Sequence, residues 1–76
     1  MNDAYVAMQW CDELKDTLYF AGLSNRCNKD VVRGKKAYVF QNDKFNLTIA
    51  GKSITIDGVK IKNVREAKQF IVESVI

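Results

Sequence analysis

The residue types that most often carry chemistry in proteins are scarce in this chain. None of its 76 residues is a histidine, so the usual general base, the Ser-His and Cys-His nucleophile pairs and the commonest metal ligand are missing. Two cysteines, Cys11 and Cys27, are too few for a structural zinc site without histidine. A chain this short also has little room for an enclosed cofactor cavity beside its core. The composition therefore predicts a protein that is not an enzyme and that holds no metal or other cofactor.

Two short patterns imitate functional sites and are better explained otherwise. Gly51-Lys52-Ser53 is similar to the end of a phosphate-binding loop. However, position 46 is Asn instead of the earlier glycine, and the tripeptide joins two predicted strands instead of opening a helix. Asp12 and Asp16 lie four residues apart and could share a cation, but hard cations require more oxygen ligands than these. We interpret the two carboxylates as a solvated acidic helix face.

The cysteines and the N-terminal residues bear on the compartment. The chain begins with neither a basic segment nor an uninterrupted apolar run, so no secretory signal is expected. A reduced, cytoplasmic setting follows from this, and nothing in the sequence demands a disulfide between Cys11 and Cys27. No window approaches 18 apolar residues, so no membrane span or membrane partner is expected.

From Ala37 onward, apolar residues alternate with polar ones and are interrupted by three expected two-residue turns: Asn42-Asp43, Gly51-Lys52 and Asp57-Gly58. A two-residue turn determines which residues of a hairpin face each other. The first turn would set Phe40 opposite Phe45 and Tyr38 opposite Leu47. The other two turns would set Ile49 opposite Ile54, Leu47 opposite Ile56, Ile56 opposite Val59 and Ile54 opposite Ile61.

These registers agree on the two faces of one antiparallel sheet. The apolar face would carry Tyr38, Phe40, Phe45, Leu47, Ile49, Ile54, Ile56, Val59 and Ile61. The opposite face would carry Val39, Lys44, Asn46, Thr48, Thr55, Lys60 and Lys62. A slip of one residue at any turn would expose half of the apolar side chains to water, so the pattern strongly specifies a meander.

Helices are predicted on both sides of the strands. Asp3 is the expected cap of a helix that runs to about Ala21, with Gly22 as its end. Asn63 followed by Glu66 predicts the start of a second helix. Each helix has an apolar stripe; the stripes comprise Ala4, Ala7, Cys11, Leu14 and Leu18 in the first and Val64, Ala67, Phe70, Ile71 and Val75 in the second. The sequence therefore predicts a single α+β domain spanning 1–76, a two-layer α-β-β-β-β-α fold with both helices on one face of the sheet.

Charge is unevenly distributed along the chain, although twelve Lys and Arg residues only modestly exceed nine Asp and Glu residues. Segment 26–36, expected to be a long connecting loop, carries five cations: Arg26, Lys29, Arg33, Lys35 and Lys36. Lys60 and Lys62 add positive charge to the polar sheet face. On the first helix, Tyr5 and Phe20 are expected on the same side as Asp12 and Asp16, and Trp10 beside the apolar stripe. The loop that follows the helix is expected to cover Phe20.

Two functions remain open. The first is a small protein-binding module, an inhibitor or adaptor of the kind that mobile elements such as phages encode, which occludes a macromolecular partner. Its expected contact residues are Tyr5, Trp10, Asp12, Asp16, Arg26, Lys29, Arg33, Lys35 and Lys36. The alternative is a weak nucleic-acid-binding domain that uses Arg26, Lys29, Arg33, Lys35, Lys36, Lys60 and Lys62. Because an acidic helix offsets the basic segment, protein binding is favoured. The chain is expected to be a monomer or a weak homodimer.

Overall fold

The structure is a computed structural model that describes residues 3–76. This part of the chain contains two helices and five strands. The elements in chain order are α1 (Asp3–Phe20), β1 (Cys27–Val32), β2 (Lys35–Gln41), β3 (Asn46–Ala50), β4 (Ser53–Ile56), β5 (Val59–Ile61) and α2 (Val64–Glu73). Side chains are described from residue 4 onward, so the predicted capping role of Asp3 lies outside the described side chains.

The strands form one antiparallel meander in the order β1-β2-β3-β4-β5. Both helices supply buried residues to the core on one face of this sheet, which confirms the predicted α+β fold with its helices on one side. The sheet has five strands, however, instead of the four that were expected.

The additional strand lies in the segment predicted to be a loop. Residues 27–32 form β1, which pairs with β2 so that Val32 lies opposite Lys35. Arg33 and Gly34 connect the two strands with φ angles of 53° and 77°, the positive values that a type I′ hairpin turn requires. β1 carries no buried residue, and only Cys27 is even half-buried. Since most of the strand packs against no other layer, it lacks the alternating apolar pattern by which strands are recognised.

The connection between β2 and β3 also differs from the expectation. Residues 42–45 form the loop, and the Asn42 Oδ1 atom accepts hydrogen bonds from the backbone nitrogens of Lys44 at 2.8 Å and Phe45 at 3.0 Å. Phe40 therefore lies opposite Leu47, and Tyr38 opposite Ile49, so the predicted pairs Phe40–Phe45 and Tyr38–Leu47 are wrong. The register differs by two residues, so every side chain stays on its predicted face.

The remaining two turns are as predicted. Residues 51–52 and 57–58 set the four expected pairs of β3 with β4 and of β4 with β5. The Asp57 side chain strengthens the second of these turns, because its Oδ1 accepts a hydrogen bond from the Asn46 nitrogen at 2.9 Å, while the Asp57 nitrogen donates to the Asn46 carbonyl at 2.8 Å. The sheet is thereby tied together at the ends of β3 and β4.

Both helices pack their apolar stripes onto the sheet, whose helix-bearing side is called the covered face below. The buried cluster consists of Ala7, Cys11, Leu14, Leu18, Phe40, Phe45, Leu47, Ile49, Ile54, Ile56, Ala67 and Ile71. Ala4, predicted in the first stripe, is exposed. Val59, also predicted to be apolar and covered, is 64% exposed because it begins the short edge strand β5. Phe70 is partly exposed and makes an edge-to-face contact with Phe45, with ring centroids 5.4 Å apart.

Local signals define where the helices end. At the end of α1, the Leu23 nitrogen donates to the Leu18 carbonyl at 2.9 Å and the Gly22 nitrogen donates to the Tyr19 carbonyl at 3.0 Å. Gly22 has a φ of 76°, so these bonds form the helix-ending motif that glycine favours. At the start of α2, the Asn63 side chain accepts a hydrogen bond from the Glu66 nitrogen at 2.9 Å, as the sequence predicts.

Candidate binding surface

The face of the sheet opposite the helices, called the open face, contains a groove of about 390 Å³. All five strands or their turns contribute to it. The residues that line it are Val32, Arg33, Lys35, Thr48, Ala50, Ser53, Thr55 and Lys60. Because side chains alternate along a strand, Thr48, Ala50, Ser53 and Thr55 each stand next in sequence to a residue of the buried core.

Strand register explains why these residues meet. Thr48 lies opposite Thr55 across β3 and β4, and Ala50 lies opposite Ser53. Lys60 of β5 lies opposite Thr55 and therefore shares its face. The short side chains in the middle of the sheet leave space, whereas the long cationic side chains stand at the margins.

The charges that line the groove have one sign. Arg33, Lys35 and Lys60 are cations, and no carboxylate is among the lining residues. Three hydroxyls, from Thr48, Ser53 and Thr55, are available as hydrogen-bond donors or acceptors. Such a surface suits an anionic group, since charge-assisted hydrogen bonds from arginine and lysine to carboxylate or phosphate are strong.

The remaining predicted basic residues lie elsewhere. By strand register, Lys29 and Lys36 share the covered face of the sheet, where they contribute to a second depression of about 330 Å³ beside Val31 and Tyr38. Arg26 is exposed just before β1, and Lys62 is exposed just after β5. The structure thus brings Arg33 and Lys35 of the basic segment together with Lys60 on the open face, whereas Lys29 and Lys36 lie on the covered face.

The predicted contact residues of α1 form a separate surface, because α1 packs on the other side of the sheet from the groove. Tyr5 is 47% exposed and its hydroxyl accepts a hydrogen bond from the Gln9 side chain at 3.1 Å. Asp12 and Asp16 are exposed as expected, but Trp10 is half-buried and packs against the core. The predicted contact residues of α1 and the groove therefore lie on different faces of the sheet.

One exposed aromatic pair was not foreseen. Phe20 is 84% exposed, so the expectation that the following loop covers it is wrong. Its ring contacts Tyr19 edge to face at 5.6 Å. Because the helix ends at Phe20 and Leu23 packs back onto the core after the turn at Gly22, the chain leaves in a direction that does not cover Phe20.

The two cysteines lie next to each other, which no sequence signal indicated. The Sγ atoms of Cys11 and Cys27 are 3.8 Å apart, and both thiols are free. Burial and, to a smaller extent, the neighbouring Cys27 together raise the pKa of Cys11 from its ordinary value of 9.0 to about 12. The thiol of Cys11 therefore stays protonated at neutral pH.

Within residues 3–76, no helix has the length and apolar character to cross a membrane. The same part of the chain contains no group of three or more His, Cys, Asp or Glu side chains placed to hold a metal ion. A scan of protein-family models and searches of the curated proteins and of the solved structures returned no match to this chain.

Proposed function

We propose that this protein is a small non-enzymatic binding module that takes up an acidic segment of a partner protein on the open face of its sheet. The observation that carries the proposal is the groove on that face, whose charged lining residues, Arg33, Lys35 and Lys60, are all cations. By covering the acidic segment, the module would act as an inhibitor or adaptor of its partner.

The other lining residues suit an extended peptide. Hydroxyls of Thr48, Ser53 and Thr55 can pair with peptide carbonyls and with carboxylates. Val32 and Ala50 offer small apolar surfaces for the stems of the bound side chains. The absence of histidine from the sequence supports a binding role over a catalytic one.

Nucleic-acid binding remains the second candidate, because the same three cations could contact phosphates. Two features make it the weaker one. No aromatic side chain is among the lining residues, although aromatic side chains are the usual stacking platforms for unpaired bases. Three phosphate contacts would give a salt-dependence slope of only about −3 on duplex DNA, compared with roughly −5 to −9 for proteins that make six to ten contacts.

Mapping of backbone amide chemical shifts by NMR tests the proposal directly. The probes are an oligoglutamate peptide, a DNA duplex and a DNA single strand, each titrated into the isotope-labelled protein at low salt. We expect the peptide to shift amides of the groove, around Arg33, Thr48 and Lys60, and to leave α1 unaffected. Shifts centred on Tyr5 and Asp12, or no saturable shifts with the peptide, would contradict the proposal. Tighter binding of either DNA would support the second candidate instead.

A pair of double variants with equal net charge sharpens the test. Arg33→Glu with Lys60→Glu reverses two charges of the groove, whereas Lys44→Glu with Arg65→Glu reverses two exposed charges outside it. We expect the first variant to bind oligoglutamate at least tenfold more weakly, a change of about 1.4 kcal/mol. The second should change the affinity by less than about threefold, since only long-range attraction is lost. Equal losses would mean that net charge, and not the groove, determines binding.

A further inference from the structure

The thiols of Cys11 and Cys27 are neighbours in space although they belong to different elements of the fold. Cys11 lies in the middle of α1 and is buried, and Cys27 is the first residue of β1 and is half-buried. Their sulfur atoms are 3.8 Å apart. The Cys27 side chain points toward the covered face, because Cys27 lies opposite the buried residue Phe40.

We infer that Cys11 and Cys27 form a reversible intramolecular disulfide, which links α1 to β1 when a small-molecule disulfide oxidant is supplied. This is a modification site of the chain itself. It is independent of the ligand that the groove takes up.

The bond needs only a small adjustment. A disulfide has a sulfur–sulfur distance of about 2.0 Å, so the two atoms must approach by about 1.8 Å from their 3.8 Å separation. Rotation about the χ1 angle of either cysteine moves its sulfur relative to the backbone. In addition, residues 24–26, which lead into Cys27, belong to no helix or strand, so the start of β1 can shift without breaking regular structure.

The exposure of the two thiols determines the order of the steps. The more exposed Cys27 thiolate attacks one sulfur of glutathione disulfide, forms a mixed disulfide and releases one glutathione thiolate. Cys11 then loses its proton to water and attacks the Cys27 sulfur, which expels the second glutathione. Two protein thiols thereby lose two electrons and two protons, and one glutathione disulfide is reduced to two glutathione thiols.

The environment of Cys11 favours this second step once the first has occurred. Part of the increase in the Cys11 pKa comes from the charge of Cys27 and from its hydrogen bond. The mixed disulfide carries neither the charge nor the thiol proton at Cys27, so that contribution disappears when Cys11 must ionise.

The disulfide would join the exposed edge strand β1 to the core. Every residue of β1 after Cys27 is exposed, and β1 pairs only with β2 because it is the edge strand. A covalent bond between Cys27 and the centre of α1 therefore joins the start of this strand to the core. The same strand leads to Val32 and Arg33, which form one end of the groove.

Oxidation of the wild-type chain with glutathione disulfide tests the inference. We expect a product that is lighter by two hydrogen atoms in intact-mass spectrometry. After tryptic digestion without reductant, it should yield one species that joins peptides 1–15 and 27–29. The thermal midpoint should rise by more than about 10 °C, because the crosslink closes a loop of about 16 residues, and dithiothreitol should return it to its original value.

Single variants separate this product from other oxidation products. Cys27→Ser and Cys11→Ala should each lose the crosslinked peptide and the shift in midpoint. A wild-type product that stops as a glutathione adduct, or that dimerises through an intermolecular disulfide, would overturn the inference. The crosslink without a rise in midpoint would support the disulfide and contradict only its stabilising effect, because bond formation would then strain the fold as much as it constrains the unfolded chain.

Discussion

The covered and open faces of the sheet are built from the same strands but differ in the burial and chemistry of their side chains. In β3, Leu47 and Ile49 point toward the helices and are completely buried, whereas Thr48 between them points to the open face and is half-buried. The apolar side chains of the covered face provide most of the stability, because burial of apolar surface is the main favourable contribution to folding. The open face contributes much less to this burial, and the groove for which we propose a binding role lies on it.

The largest predicted effect concerns the buried side of β3. Leu47→Ala should lower the free energy of unfolding by about 2 to 5 kcal/mol, because it leaves a cavity in a close-packed core. A domain of 76 residues is expected to have a total stability of only about 4 to 11 kcal/mol. Chemical denaturation followed by circular dichroism would measure the loss, and the variant should be partly unfolded at room temperature if the wild-type value is low.

Thr48→Ala is the matched control, one residue away on the other face. It should lower the free energy of unfolding by less than about 1 kcal/mol, the span of β-sheet propensities, because the Thr48 side chain is only half-buried. If both substitutions destabilised the protein equally, Thr48 would contribute as much packing as Leu47, and the two faces of the sheet would not differ in their contribution to stability.

The second prediction uses the ionisable group of the covered face. Cys11 is the only buried side chain in residues 4–76 that can titrate. The charged groups around it are Cys27 on β1 and Lys15 and Asp12 on its own helix. Its folded pKa of about 12 exceeds the ordinary value of 9.0, so the folded protein retains a proton that the unfolded chain releases. This contribution to stability is fully present below pH 9 and is lost as the pH rises from 9 toward 12.

Denaturation at pH 8 and pH 10 under reducing conditions would measure this effect. Between these values, the wild-type protein should lose about 1 kcal/mol more stability than Cys11→Ala, in which the titrating group is absent. The comparison cancels the titration of lysines and tyrosines, which are common to both proteins. An identical pH dependence would show that Cys11 ionises without resistance, and hence that water reaches this part of the covered face.

The same contrast explains which parts of the fold could be predicted from sequence. Residues 37–76 alternate cleanly because one side of each strand is buried under the helices, and every apolar residue expected on the covered face except Val59 is at least partly shielded there. β1 could not be recognised by that pattern, since it lies beyond the helices at the edge. Its indications were weaker: the β-branched Val31 and Val32 before a residue-glycine pair, Arg33-Gly34, at the centre of a hairpin turn.

Two features that the sequence did not predict, the loop at residues 42–45 and the groove, have identifiable structural causes. Asn42 and Asp43 suggested a two-residue turn, but the Asn42 side chain accepts two backbone hydrogen bonds and stabilises a longer loop. The open-face residues Thr48, Thr55 and Lys60 could be assigned to one face from sequence. The sequence could not predict that these residues form a groove together with Arg33 and Lys35. That arrangement depends on the hairpin that β1 forms with β2 and on the three-dimensional shape of the whole sheet.

The smallest predicted effect lies at the border of the covered face, where the Lys68 Nζ of α2 pairs with the Glu13 Oε1 of α1 at 3.0 Å. Their side chains are 40% and 47% exposed, so water and salt screen the attraction. Although the pair joins the two helices, we expect it to contribute between about 0.2 and 1 kcal/mol. This is well below the effect of the buried residues that pack the same two helices onto the sheet.

A double-mutant cycle isolates this contribution, because Lys68→Ala also removes the packing of a long aliphatic stem. Glu13→Ala, Lys68→Ala and the double variant should give a coupling energy below about 1 kcal/mol, and raising the salt concentration should reduce it further. A coupling above about 2 kcal/mol that is insensitive to salt would mean that the pair is shielded from solvent. The shielded region would then include the exposed border of α1 and α2 as well as the residues buried between the helices and the sheet. The division between a face for stability and a face for binding would no longer hold.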